Sequence, residues 1–250
     1  MEPSKAIMLS LLKKEISVFL SSLIGYIVIS VFLITVGLLM WVLPMDSNIL
    51  DGGYAGIDAL FVMAPWVFLF LIPAVTMRSF AEEKKAGTIE LLLTRPISDL
   101  QIVFAKYMAC VILVILALLP TLVYYFSVYA LGNPPGNIDN GRTWGSYFGL
   151  IFLTSGFVSI GVFASAITNN QVVSFILAVI LCFFCYTGFA YLGNVFSSGV
   201  IGNMVQQLGI SAHYSSMSRG VIDTRDVIYF VSITAIFLLM SRTTIESRKW

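Results

Sequence analysis

Long apolar runs separated by short polar breaks make up almost the whole chain. Residues 16–45, 59–77 and 107–131 carry no charged side chain, and neither does the much longer stretch 143–218. Runs of this length lack the strict alternation of a half-buried strand and far exceed a buried one, so they predict helices. A membrane-crossing helix needs roughly 20 mainly apolar residues. The pattern predicts six of them, at about 18–43, 59–77, 107–131, 144–167, 172–196 and 227–240. The long uncharged stretch is divided at Thr168-Asn169-Asn170-Gln171, its one strongly polar early break. The fourth span is rich in small residues, which let helices approach closely. It is expected to pack against other helices, with a small-residue face that needs a partner subunit. Pro65, Pro73 and Pro120 fall inside spans, where proline weakens the hydrogen-bond ladder and invites kinks.

The remaining stretches are short. In residues 1–15, Ile7, Met8, Leu11 and Leu12 share one helical face, with Lys5, Ser10, Lys13 and Lys14 mostly off it. That suits an elbow helix lying in the membrane interface, or a tail leading into the first span. Residues 197–225 carry four glycines among apolar side chains and read as a periplasmic loop or short helices. His213, the single histidine, has no catalytic motif around it and reads as structural. Cys182-x-x-Cys185 lies in an apolar run and reads as membrane packing.

Composition turns these elements into a class. Of 250 residues, 58% are hydrophobic and 11% charged, against roughly 25% charged in soluble domains. The chain is expected to be an all-α integral membrane protein forming a single domain over 1–250, with no cleavable signal peptide. A net charge of +1 gives no basis for nucleic-acid binding. With six spans, eleven of the 14 basic residues fall on the side of the termini. The positive-inside rule then places both termini, and the segment 78–106 between spans 2 and 3, in the cytoplasm.

That segment is the one long charged stretch. Nine charged residues lie within 77–106: Arg78, Glu82, Glu83, Lys84, Lys85, Glu90, Arg95, Asp99 and Lys106. Gly87 is expected to end a helix, and Thr88 to cap a short second one over 89–94. Arg95-Pro96 ends that helix. Ser98-x-x-Gln101 fits a capping box, and Asp99 suits the positive end of the following helix.

The run R-S-F-A-E-E-K-K-A-G-T-I-E-L-L-L-T-R-P-I-S resembles the signature of ABC-2 type transporter permeases. In that family an acidic pair, a basic residue, Gly-Thr, Glu, leucines and proline follow the second span in this order. The stretches 72–80, 144–150 and 217–226 more narrowly resemble the gliding-motility permeases of the family. The resemblance implies an elbow helix and a cytoplasmic coupling segment that docks on a separate ABC ATPase. It also implies a second, non-identical membrane subunit and a place in a bacterial inner membrane. Under it, the coupling residues are Arg78, Glu82, Glu83, Gly87, Thr88, Glu90, Leu91, Leu92, Arg95 and Pro96.

No G-x-x-x-x-G-K-[ST] occurs, so the chain is not expected to be an enzyme or to hold a cofactor. ATP and Mg would sit on the partner ATPase, and the partners would be that subunit, a second permease and lipid. A non-transporting scaffold that passes ATPase-driven movement to periplasmic partners would keep the same segment and stays an alternative. An ion-coupled secondary transporter fits less well, because the predicted spans hold no ionisable group of the usual relay types.

Overall fold

The computed structural model describes residues 3–45, 47–90, 97–195 and 199–247, and every regular element among them is helical. In chain order these are α1 (Pro3–Leu20), α2 (Leu23–Trp41), α3 (Asp58–Thr76), α4 (Ala81–Lys85), α5 (Asp99–Leu118) and α6 (Leu122–Leu131). They continue with α7 (Asn140–Ile167), α8 (Gln171–Phe183), α9 (Phe189–Val195), α10 (Val200–Gln206), α11 (Ile210–Met217) and α12 (Thr224–Glu246). Five helices, some assembled from two of these pieces, are long and apolar enough to cross a membrane: Asp58–Lys85, Asp99–Leu131, Asn140–Ile167, Gln171–Val195 and Thr224–Glu246. The pair α1–α2, bent by 67°, supplies the sixth candidate if it forms one span.

Local chemistry sets the breaks. Ser22 caps α2 by accepting from the Gly25 amide, so the first bend falls at Ser21–Ser22, later than an elbow ending at residue 15. Pro120 interrupts the span Asp99–Leu131 with one 3-10 turn, Leu119–Thr121, because proline cannot complete the ladder. By contrast, α3 runs through both Pro65 and Pro73 without a break. A π turn, Phe184–Gly188, joins α8 to α9 and has no signature in the sequence. Asp223 caps α12, which begins three residues before the predicted start and ends six after the predicted finish.

The bundle is built around α7, whose most apolar window is 72% buried. It packs against α3, α5, α8, α11 and α12. The small-residue face expected to need another subunit is filled from within the chain. A Cβ at Gly149 would stand 2.7 Å from that of Met217, and one at Gly161 would stand 2.2 Å from the Thr76 hydroxyl. Close backbone approach, which only a hydrogen at Cα permits, brings α3 and α7 together there. Aromatic contacts line the same seam, among them Phe61 edge-on to Tyr147 and Tyr186 edge-on to both Trp66 and Phe157.

At the end of the bundle opposite α4, the short helices are pinned by polar contacts. His213 Nδ1 lies 2.7 Å from Asp226 Oδ1, and Nε2 lies 2.9 Å from the Gln207 carbonyl. The imidazole stacks on Tyr229 at 3.9 Å, and the Ser216 hydroxyl donates to the other Asp226 oxygen. Tyr214 donates to the Phe61 carbonyl at 2.7 Å. Burial, with Tyr186 as a second cause, pushes its phenol well above the ordinary value, so it stays a donor. Both ring nitrogens of His213 are thus engaged in holding the short helices together.

Candidate functional site: a charged helix clamped between two bodies

The charged segment begins where α3 ends. Its first short helix, α4, has no capping side chain of its own at Phe80. The cap comes from α7 instead: Ser165 Oγ accepts from the amides of Phe80 and Ala81, each at 3.0 Å, and donates to the Met77 carbonyl at 3.2 Å. Orphan first-turn amides are thus satisfied by a hydroxyl more than 80 residues away. One turn later, Lys84 Nζ donates to the Ala166 carbonyl at the end of α7. Glu82 and Glu83 in the first turn and Lys84 and Lys85 in the last also suit the helix dipole.

Glu83, the neighbour of Lys84, is held from the other side. Its Oε1 lies 3.1 Å from Lys106 Nζ on α5 and 3.7 Å from Lys14 Nζ on α1. Lys106 Nζ also lies 2.9 Å from Glu15 Oε1 on α1, with the Phe80 ring centroid 5.2 Å away. The lysine side chain is 1% exposed. A cation that buried is costly unless paired and hydrogen-bonded, and two carboxylates and a ring face meet that need.

At the far end of α4, Gly87 takes φ +68°. The Thr88 amide donates to the Glu83 carbonyl at 3.0 Å and the Gly87 amide to the Lys84 carbonyl at 3.3 Å. This is a Schellman closure, with glycine at the left-handed position it favours. Ser98 and Gln101 form the expected capping box at the start of α5.

A cleft of about 320 Å³ opens between α1, α4 and α5. Of the expected coupling residues, Arg78, Glu82, Glu83 and Thr88 line it, together with Glu15 and Lys106. Gly87 and Glu90 are exposed and do not line it. Ile89 and Glu90 are helical, while Leu91, Leu92, Arg95 and Pro96 lie outside the described residues, as does most of the helix expected over 89–94. The Thr88 hydroxyl donates back to the Glu83 carbonyl at 3.4 Å. Two polar atoms at the cleft, Arg78 Nε and Glu83 Oε2, are buried without a hydrogen-bond partner among the described residues.

Sequence reasoning missed four residues of this site. Lys106 was legible as a single lysine about two turns inside an apolar helix. Glu15, Lys14 and Ser165 carry no such signal, because their partners lie 69 to 91 positions away.

No curated protein matches the chain. The family model described as ABC-2 family transporter protein matches residues 9–242, nearly the full length, and the match takes in every residue of the clamp. With its membrane-spanning helices, the chain belongs to the ABC-2 transporter family, as a permease subunit.

Proposed function

We propose that this permease couples ATP hydrolysis on a separate cytoplasmic ABC ATPase, which holds the ATP and Mg, to movement of its own spans. The segment 78–106 is the docking element. The observation that carries this reading is the double clamp on α4: Lys84 is fixed to α7, and the adjacent Glu83 to Lys106 on α5, which also holds Glu15 on α1. A force applied to α4 therefore reaches both halves of the bundle. Glu82, Lys85, Thr88 and Glu90 remain exposed, so a soluble partner has charge to engage without breaking the clamp. Leu91, Leu92, Arg95 and Pro96 continue the docking surface, by the resemblance of the motif.

The same reading places the termini and α4 in the cytoplasm, from the excess of basic residues on that side. It places the chain in a bacterial inner membrane beside a second, non-identical permease subunit. Stretches 72–80, 144–150 and 217–226 support a role in gliding motility or its associated secretion. The work done is export, or mechanical action on periplasmic partners.

The test is co-purification. The native chain is expected to retain its ATPase, identified by mass spectrometry. Glu82→Lys combined with Glu90→Lys, both exposed and outside the clamp, is expected to weaken that retention without reducing permease abundance. Added salt mimics part of the effect at exposed charges. Normal retention and normal stimulated ATP turnover in the double variant would reduce the segment to a connecting loop.

A further inference from the structure

We propose that Lys106 is a positioning residue that makes α1 a moving part of the coupling device. This inference rests on the coupling reading above and adds to it a helix outside the charged segment. Lys106 belongs to α5, Glu15 to α1 and Glu83 to α4, and the one ammonium group lies within 3.1 Å of both carboxylates. Three donors on that ammonium suffice for two carboxylates and the Phe80 face. Without the lysine, two partly buried acidic side chains, 22% and 14% exposed, would face each other. With it, α4 cannot move away from α1 unless a buried cation loses one of its two anions.

The remaining contacts give this joint a direction. Along its length α1 packs on α5, so the two form one body. On its opposite side α4 is held by Ser165 and Lys84 to α7. Lys14 adds little, because its 3.7 Å contact comes from a side chain 59% exposed. Displacement of α4 is therefore shared between α7 and the α1–α5 body. From α1 it passes through the 67° bend at Ser21–Ser22 into α2.

The decisive variant is Glu15→Gln, which removes one carboxylate from the joint and leaves the segment 78–106 unaltered. Spin labels at Lys13→Cys and Lys85→Cys, both exposed, report the α1–α4 distance in nanodiscs after the native cysteines are replaced by alanine. A single narrow distribution is expected with Glu15 present and a clearly broader one with Glu15→Gln, while Lys106→Arg stays narrow. In the complex with its ATPase, Glu15→Gln is expected to retain the ATPase yet lose stimulated turnover about tenfold, a typical coupling effect. Adding Glu15→Gln to Lys106→Met should cause no further loss, because both act through one contact. If Lys106→Met does not accumulate, Glu15→Gln alone decides. Unchanged label widths, or native turnover in Glu15→Gln with ATPase bound, would overturn the joint. Failure of the native chain to retain any ATPase would instead overturn the coupling reading itself.

Discussion

Ser165→Ala is the most informative single change in the clamp, because it removes one oxygen atom and touches no charge. Ser165 is completely buried, and its hydroxyl accepts from two amides at 3.0 Å. Loss of a helix cap costs about 1 kcal/mol, and a stranded buried donor about 1–3 kcal/mol. The two effects overlap on the same amides, so a local cost of about 2 kcal/mol is the working figure. Because 1.4 kcal/mol is tenfold in an equilibrium constant, α4 should open roughly 30-fold more often. Hydrogen exchange of the 80–85 backbone, read by mass spectrometry on the protein in nanodiscs, measures that opening directly. The companion variant is Ser174→Ala on α8, where a fully buried hydroxyl has no hydrogen-bond partner among the described residues. It should leave exchange over 80–85 unchanged. Native exchange rates in Ser165→Ala, or equal acceleration in both variants, would refute the idea that α7 holds α4 through this hydroxyl.

Other outcomes follow from the same geometry. Gly87→Val meets no atom within 4 Å, so its cost is conformational, about 1–3 kcal/mol; it should lower ATPase retention with normal insertion, and native retention would count against the Schellman closure as an aiming device. Gly161→Ala should lose about 1–3 kcal/mol by overpacking against Thr76, seen as a lower midpoint in thermal unfolding. Thr76→Ala in the same chain should recover part of that loss, and strictly additive losses would argue against the contact. His213→Ala should leave Asp226 and the Gln207 carbonyl without their ring partner at a cost of about 1–3 kcal/mol, read as faster exchange in α10 and α11 with α4 unaffected. Lys85→Cys and Asn137→Cys, both exposed, should react with impermeant reagents from opposite faces of the membrane; labelling from the same face would reject the proposed orientation.

The spans were legible because lipid asks for little besides length and apolarity: 59–77 became Asp58–Thr76, and 144–167 became Asn140–Ile167. The end of α12 was misjudged because Arg242 and Glu246 look like a stop, yet they pair at 3.2 Å one turn apart on a continuing helix. The first bend was misplaced because Ser21-Ser22 reads as an unremarkable dipeptide within an apolar run, while the helix needs a cap there. In the charged segment, the helix stop at Gly87 and the capping box at Ser98 are local codes and could be read locally. The clamp could not, since Ser165 sits in an uncharged span and Glu15 in a short amphipathic helix. Their meaning appears only when α1, α5 and α7 converge on α4.

The π turn at Phe184–Gly188 gives the fifth membrane helix a phase error relative to a straight α-helix. One surplus residue in the winding advances everything after it by about 100° and 1.5 Å, given 3.6 residues per turn. Downstream of the turn, α9 meets α10; within it, Tyr186 reaches inward to Trp66 and Phe157. The surplus residue therefore works as a gearing tooth that sets which side of α9 meets α10. Deleting one residue between 184 and 188 would let the winding relax to α and rotate the whole of α9 away from its partner. Deletion of Phe184, which is 45% exposed, should thus do more damage than most substitutions in this apolar helix.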